Sequence, residues 1–192
     1  MFQSGAWILP DERPLPSELE TFLDVGEPPV YFGLGSMRAP QGLGHVMVQA
    51  ARALGRRAVL SRGWADLSVD GEPDCLTIGE VNQQALFTRV AAVVHHGGAG
   101  TTTAAALAGA PQVVVPQLYD QHYWAQRIGE LGIGTAHPSG VPNADSLTDT
   151  IARALRLDVA ARAKSIAGRV GRAGARAAAE RLIDVHRDTY GG

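Results

Sequence analysis

The chain has 192 residues, which is enough for one domain with a sizeable core and leaves little room for two. Apolar residues make up 45% and charged residues 19%, values typical of folded globular proteins, so the composition excludes a disordered or fibrous chain. The formal net charge of -2 argues against a protein whose main task is to coat nucleic acid. A single cysteine cannot form an internal disulfide, and the sequence has neither a long apolar run nor a charged-then-apolar leader. We therefore expect no membrane span and a cytoplasmic location.

Charge is concentrated at the two ends of the chain. Residues 1–28 contain six acidic side chains and one arginine, whereas residues 151–192 contain nine basic and four acidic side chains. Two interpretations stay open: the ends form solvated helical faces of opposite sign, or they form a docking face for a partner or a missing domain.

Residues 1–28 are predicted to be a linker with one short helix. Five prolines lie between positions 5 and 29, and the leucines and phenylalanine of 17–23 fall at helical spacing. Ser17, with Glu20 three residues later, predicts a capping box at the start of this helix.

Residues 29–192 are predicted to form one domain in which strand, glycine turn and helix alternate. The predicted strands are Val30–Gly35, Ala58–Ser61, Cys75–Ile78, Val90–His95, Gln112–Pro116 and Gly134–Ala136. The predicted helices are Leu43–Leu54, Asn82–Thr88, Thr101–Ala108 and Tyr119–Leu131, with further helices to the C-terminus. Because the β-branched runs do not alternate with polar residues, the strands are covered on both faces. The predicted fold class is therefore α/β, a doubly wound parallel sheet with C-terminal helices.

Ligands bind to such sheets beyond the carboxyl ends of the strands, where the winding direction reverses. Two strand ends are unusual in this sequence. The first strand leads into Gly35 and Ser36, a bare turn with a hydroxyl group. The strand that ends at His95 leads into the glycine-rich residues 96–101, which open a helix.

The turn after His95 carries the chemistry of a diphosphate site. Its glycines let a phosphate approach the main chain, and a helix N-terminus contributes about half a positive charge. His96 and the hydroxyls of Thr101 to Thr103 add hydrogen-bond donors. The sequence therefore predicts that a diphosphate binds here without a metal ion. The alternative is a tight turn that the histidines only cap, and His95 fits the end of a buried strand equally well.

Two common nucleotide-binding motifs are absent. Residues 33–38 lack the third glycine of a dinucleotide fingerprint, and the chain has no Gly-Lys-Ser/Thr sequence of a P-loop. A nicotinamide oxidoreductase and a P-loop NTPase are therefore disfavoured.

The turn after the next strand pairs an acid with an amide. Asp120 and Gln121 suit the recognition of neutral hydroxyls, because both accept hydrogen bonds and the amide also donates. Asp120 could instead cap the helix that follows. Its position beside the predicted phosphate site favours a role in binding.

These motifs together resemble the donor-binding signature of family 1 glycosyltransferases. The resemblance runs from about Trp7 to the C-terminus and is carried by Glu80-Val81-Asn82-Gln83, His95-His96-Gly97-Gly98-Ala99-Gly100-Thr101, Gly109-Ala110-Pro111-Gln112 and Pro116 to Asp120-Gln121. Leu60-Ser61-Arg62-Gly63-Trp64 resembles the actinobacterial enzymes that glycosylate glycopeptide and related antibiotics. The resemblance implies one half of a GT-B fold, namely the C-terminal Rossmann-like domain that binds the nucleotide sugar.

The resemblance implies a role for each matching residue. His96 would bind the diphosphate and serve catalysis, with Ser36, Gly98, Ala99, Gly100 and Thr101 around it. The base would be held by Val81 and Gln83, and the sugar hydroxyls by Asp120 and Gln121.

The sequence departs from plant members at two positions of this signature. Glu80 stands where they have a stacking tryptophan, so base recognition is expected to involve Arg62 or Trp64. Ala104 stands where they have a glutamate that holds the ribose hydroxyls. That loss matters less for a deoxyribose, which favours a dTDP-sugar over a UDP-sugar.

The implied reaction is an inverting transfer of the sugar to an acceptor hydroxyl, with no metal ion and no cofactor, since no Asp-x-Asp motif occurs. The general base would lie in an N-terminal acceptor domain that this sequence lacks. The chain is therefore expected to bind a nucleotide sugar but to turn over poorly alone. Its last helix, around 181–190, would pack on the missing domain; the alternative is a terminal helix packed on the sheet. The Met1 start before a linker-like segment is expected for a domain separated from its enzyme, although natural split transferases exist.

Two other functions use the same fold. One is a nucleotide-sugar-binding subunit that is active only with a partner. The other is a GT-B sugar-nucleotide epimerase, which needs catalytic carboxylates in the cleft, and only Asp120 and Glu80 are candidates.

Overall fold

The computed structural model describes residues 2–69 and 71–190, the last three of them by their backbone only. Six parallel strands form one sheet in the order β3-β2-β1-β4-β5-β6. The strands are β1 Val30–Gly33, β2 Ala58–Ser61, β3 Cys75–Ile78, β4 Ala92–His95, β5 Gln112–Val114 and β6 Gly134–Ala136. This order, with two halves wound outward from β1 and β4, confirms the predicted doubly wound α/β class.

Eight helices surround the sheet in the described part of the chain. They are α1 Ser17–Asp24, α2 Leu43–Ala53, α3 Gln83–Leu86, α4 Ala99–Ala108, α5 Gln121–Leu131, α6 Ala144–Ala154, α7 Leu157–Ala167 and α8 Gly174–Tyr190. A 3-10 turn, Phe87–Arg89, continues α3. The predicted bounds of β2, β3 and β6 agree residue for residue. The observed β1, β4 and β5 are each two residues shorter than predicted. Gly35 turns the chain away after β1 at φ +59°, and Pro116 has no N–H to extend β5.

The apolar core lies on both faces of the sheet. Phe32 faces α2 and α6, where Met47 and Ile151 are buried. Tyr31, its neighbour, faces the opposite side, where Phe87 meets its ring edge-on with the centroids 4.9 Å apart. Burial on both faces explains why the strand sequences are continuously apolar.

The start of α1 differs from the prediction. The helix begins at Ser17 itself and Pro16 occupies the N-cap position, so the predicted capping box with Glu20 is wrong. Glu20 instead pairs with Arg89 at 2.7 Å, and the guanidinium of Arg57 lies 4.4 Å from the centroid of the Phe22 ring. These contacts from the domain hold α1 in place, so part of the acidic charge of residues 1–28 is paired within the chain.

The residues before α1 run along the domain surface. The side-chain amide of Asn82 donates to the carbonyl oxygens of Asp11 and Arg13, each at 2.8 Å, and that of Gln84 donates to Leu9 at 2.8 Å. Residues 3 and 5–13 thereby form one wall of a cleft above the sheet. The predicted division into a linker, residues 1–28, and a domain, residues 29–192, stays a prediction. Residues 1, 70, 191 and 192 of these ranges lie outside the described residues.

Two glycines near the end of the sheet provide a test of this packing. A Cβ on Gly134 in β6 would overlap the carbonyl oxygen of Gln112 and lie 2.7 Å from Ile128 Cγ2, whereas a Cβ on Gly129 in α5 would meet nothing within 4 Å. We expect Gly134→Ala to lower the free energy of unfolding by about 1–3 kcal/mol, the cost of overpacking. Gly129→Ala should raise it by about 0.5–1 kcal/mol, because alanine favours the helix. Urea denaturation of both variants measures this, and equal effects would contradict the described packing of β6.

Candidate functional site

The site lies where the sheet reverses its winding, between the adjacent strands β1 and β4. Gly33 pairs with His95 at the ends of these strands. The chain then leaves β1 toward α2 on one face and leaves β4 toward α4 on the other. The two departing loops open a crevice between them, the usual ligand position in such a sheet.

His96 is enclosed by two glycines. A Cβ on Gly35 would lie 2.9 Å from His96 Cε1, and one on Gly98 would lie 2.5 Å from His96 Nε2, so either side chain would displace the ring. Among the described residues, His96 Nδ1 is buried with no hydrogen-bond partner. Burial lowers the pKa of His96 and the charge of Asp120 opposes this effect, so the imidazole is neutral near pH 7. Because Nδ1 is enclosed, the neutral ring can offer only its other nitrogen, Nε2, to a ligand.

The N-terminus of α4 lies beside this ring. Gly98 is the N-cap and has no side chain to bond the first amides of the helix, while Ala99 and Gly100 are exposed. The first amides of a helix have no partner within it, and with the helix dipole they attract an anion. Ser36, from the loop after β1, lines the same cleft as Ala99 and Gly100. The structure therefore brings Ser36, His96 and residues 98–100 together. Thr101 lies in the first turn of α4, half-buried, and is not among the residues that line the cleft.

His95 has a structural role beneath this loop. It ends β4 with no exposed surface, Nδ1 accepts a hydrogen bond from the N–H of Gly97 at 3.1 Å, and Nε2 donates to Gln112 Oε1 at 2.9 Å. Burial lowers the pKa of His95 to about 3. A permanently neutral His95 thus fixes Gly97, whose φ of +93° and whose closeness to Val114 suit only glycine. Of the two interpretations of His95, the end of a buried strand is the one observed.

The residues predicted to hold the base line the cleft on the other side of β1. They are Arg62, Trp64, Val81 and Gln83. The backbone N–H of Trp64 donates to the carbonyl oxygen of Gly35 at 2.9 Å, which joins the loop after β2 to the loop after β1. Glu80 and Ala104 also line this cleft, whose volume is about 1820 Å³.

The two residues predicted to hold the sugar differ in their contacts. Gln121 is 5% exposed, and its Oε1 accepts hydrogen bonds from the N–H groups of Gln117 at 2.7 Å and Leu118 at 3.0 Å. Its side chain therefore fastens the loop between β5 and α5. Asp120 is exposed and stands at the N-cap position of α5, but its side chain makes no cap hydrogen bond, so the capping interpretation is wrong.

Comparison with known proteins decides the family. A family model described as Erythromycin biosynthesis protein CIII-like, C-terminal domain matches residues 67–180, more than half of the chain. The chain belongs to this family. Glycosyltransferase GtfE from Amycolatopsis orientalis is 58% identical over 94% of this chain and 44% of its own length, and the vancomycin aglycone glucosyltransferase of that organism is 57% identical over 95% and 45%.

A solved structure supports the same fold. The glycosyltransferase VinC, in complex with dTDP, superposes with a TM-score of 0.64 at 27% identity and covers 83% of this chain and 44% of its own. This GT-B domain therefore spans less than half the length of the relatives it matches. Within the described residues, no helix is long and apolar enough to cross a bilayer, and no three metal-ligating side chains converge. The cytoplasmic location stays a prediction.

The structure adds Tyr31 to the residues that sequence reasoning identified. Tyr31 lines the cleft, and its hydroxyl accepts from the amide of Gln83 at 3.4 Å. Its ring lies where a Cβ on Gly33 would stand, so only glycine at 33 lets the hydroxyl reach this edge of the sheet. The sequence signal was the Tyr-x-Gly spacing, which puts both residues on one face of β1.

The buried histidines make stability depend on pH. The pKa of His95 lies below its unfolded value of about 6.5, so only the unfolded chain gains a proton between pH 6.5 and 3. The contribution is complete above pH 6.5 and is lost as the pH falls, by about 1.4 kcal/mol per pH unit for one such group. Burial also lowers the pKa values of His96 and His137, which adds to this slope.

We expect His95→Gln to reduce that slope, as measured by urea denaturation at pH 7.5 and pH 5.5. His45→Gln, which removes an exposed histidine from α2, is the control and should keep the slope of the unchanged protein. An unaltered slope in His95→Gln would show that His95 is not the buried neutral group described.

Proposed function

We propose that this domain binds the sugar donor of an inverting glycosyltransferase, which moves a sugar from a dTDP- or UDP-sugar to a hydroxyl of a natural-product acceptor. The observation that carries the proposal is the neutral ring of His96, which glycines 35 and 98 enclose beside the N-terminus of α4 at the winding reversal. The relatives support it, since two are named as glycosyltransferases and one is named for an antibiotic aglycone.

The diphosphate would lie between Ser36, His96 and the first amides of α4. As the bond to the sugar breaks, negative charge grows on the leaving nucleoside diphosphate. Groups already aimed at that charge lower the barrier without reorganising. His96 and the α4 dipole act at this point, so we propose that the reaction uses neither a metal ion nor a cofactor.

The base and ribose would occupy the part of the cleft lined by Arg62, Trp64, Val81 and Gln83. Ala104 also lines the cleft and offers no hydrogen-bonding group to a ribose hydroxyl. A deoxyribose has one hydroxyl fewer to satisfy than a ribose, so its binding suffers less from the missing group. The VinC structure was solved with dTDP. We therefore favour a dTDP-sugar over a UDP-sugar.

Acceptor binding and the general base are assigned to a domain outside this chain, because the relatives are more than twice as long. The last helix supports this assignment: Leu182 is 72% and Ile183 is 51% exposed, so α8 does not pack these side chains on the sheet. We propose that this side of α8 packs on the acceptor domain, whether that domain belongs to the same enzyme or to a separate partner subunit.

An epimerase is disfavoured by the separation of its two candidate carboxylates. Glu80 follows β3 and Asp120 follows β5, which are four strand spacings apart in the sheet. At about 4.8 Å per spacing, these strands lie roughly 19 Å apart, too far for both carboxylates to act on one sugar carbon.

Nucleotide binding by the chain tests the proposed site. Isothermal titration should show binding of dTDP, weaker binding of UDP and none of NAD. His96→Ala should weaken dTDP binding by about 1.5–3 kcal/mol, the range for a hydrogen bond to a charged group. His45→Ala, an exposed histidine elsewhere, should bind as the unchanged chain does. An unchanged dissociation constant in folded His96→Ala would remove His96 from the proposed role.

Turnover tests the incomplete-enzyme proposal. With a dTDP-sugar and an antibiotic aglycone, the chain alone should show no transfer, and addition of the part of GtfE that the match does not cover should restore it. Leu182→Ser should reduce the restored rate while dTDP binding stays unchanged, whereas Ala177→Ser, on the opposite side of α8, should have little effect. Transfer by the chain alone would contradict this proposal.

A further inference from the structure

The loop between β5 and α5 holds Asp120 in an unusual position. Tyr119 has a φ of +51°, a left-handed conformation that residues other than glycine rarely adopt, and its side chain is 88% exposed. Gln121 fastens the loop from below through its two hydrogen bonds to the main chain. Asp120, the residue between them, is exposed to solvent.

The carboxylate of Asp120 is held by one side chain. Trp124, one turn later on α5, donates its indole Nε1–H to Asp120 Oδ2 at 3.0 Å. An aspartate at an N-cap ordinarily bonds the amides of its own helix, which are available here. The backbone of Asp120 is helical, at φ -68° and ψ -10°, so its side chain does not turn back to those amides and bonds the indole of Trp124 instead.

The tryptophan is well suited to this task. Its ring nitrogen donates and cannot accept, so it engages one carboxylate oxygen and leaves the other to bind a hydroxyl. The ring is half-buried, lines the cleft and meets Tyr123 edge-on with the centroids 5.2 Å apart, which fixes its orientation. A Cβ on Gly97 would lie 3.1 Å from the carbonyl oxygen of Gln121, so the loop that carries Asp120 packs against the loop that carries His96, and the charge of Asp120 acts on His96.

We propose that Trp124 is a positioning residue for sugar recognition, holding Asp120 so that its second oxygen accepts a hydroxyl of the sugar. This inference rests on the proposed function, because it needs the diphosphate to lie at His96. It assigns Trp124 no contact with the nucleotide. Loss of the indole N–H should therefore affect the sugar part of the ligand alone.

The test compares dTDP with dTDP-glucose by isothermal titration. Trp124→Phe keeps an aromatic ring and removes the N–H; it should bind dTDP within about twofold of the unchanged chain and dTDP-glucose about 5- to 20-fold more weakly, as for one weakened hydrogen bond to a charged group. Tyr123→Phe is the matched control from the adjacent ring and should change neither affinity. Equal loss for both ligands would indicate a structural role and overturn the proposal.

A double-mutant cycle separates positioning from an independent contact. Asp120→Ala should weaken dTDP-glucose binding, and adding Trp124→Phe should cause no further loss, because the indole acts only through the carboxylate. Additive losses in the double mutant, or unchanged binding of dTDP-glucose by Trp124→Phe, would overturn the inference. The proposed function would stand in either case as long as the chain binds dTDP. Failure of the unchanged chain to bind dTDP would contradict the proposed function and this inference with it.

Discussion

The reversal of winding between β1 and β4 is the constraint on which the site depends. Parallel strands must be joined by crossovers, and the crossovers from these two neighbours pass to opposite faces of the sheet. No element can fill the space between the departing loops, so their main chains approach each other across it. Only small residues fit at that approach, which is why glycines 35 and 98 enclose His96 and why its ring has one defined position.

Rigid polar contacts beneath the loops maintain this geometry. His95 and Gln112 pin Gly97 from inside the core, while Gln121 pins the neighbouring loop through its side-chain carbonyl. Each of these groups is buried, so leaving its partner unsatisfied would cost about 1–3 kcal/mol. The loops around the proposed site are exposed, yet their conformations are fixed by side chains that are buried beneath them.

The sequence predicted most of the fold because the apolar runs and glycine turns are local signals. The sequence also predicted that His96 and the N-terminus of α4 lie side by side, since both directly follow β4 along the chain. The capping role of Ser17 was mispredicted, because a serine three residues before a glutamate ordinarily indicates an N-cap. In the structure Pro16 is the N-cap, and Ser17 is the first residue of α1. Tyr31 and Trp124 were missed because apolar or aromatic residues at these spacings ordinarily indicate core. The hydroxyl of Tyr31 and the indole N–H of Trp124 are functional candidates only because they bond Gln83 and Asp120. These bonds depend on the folded backbone and cannot be read from a sequence motif.

In the proposed complex, Asp120 would link the diphosphate and the sugar of the donor. Its charge opposes the effect of burial on the pKa of His96, and its carboxylate is oriented by Trp124. A sugar hydroxyl that binds Asp120 would place the anomeric carbon between this carboxylate and the groups that receive the charge of the leaving diphosphate. The domain would then do more than hold a nucleotide, because it would fix the direction in which the bond breaks. The acceptor domain would need only to bring an activated hydroxyl to the opposite side of that carbon, which is consistent with binding and leaving-group stabilisation residing in one half of the enzyme.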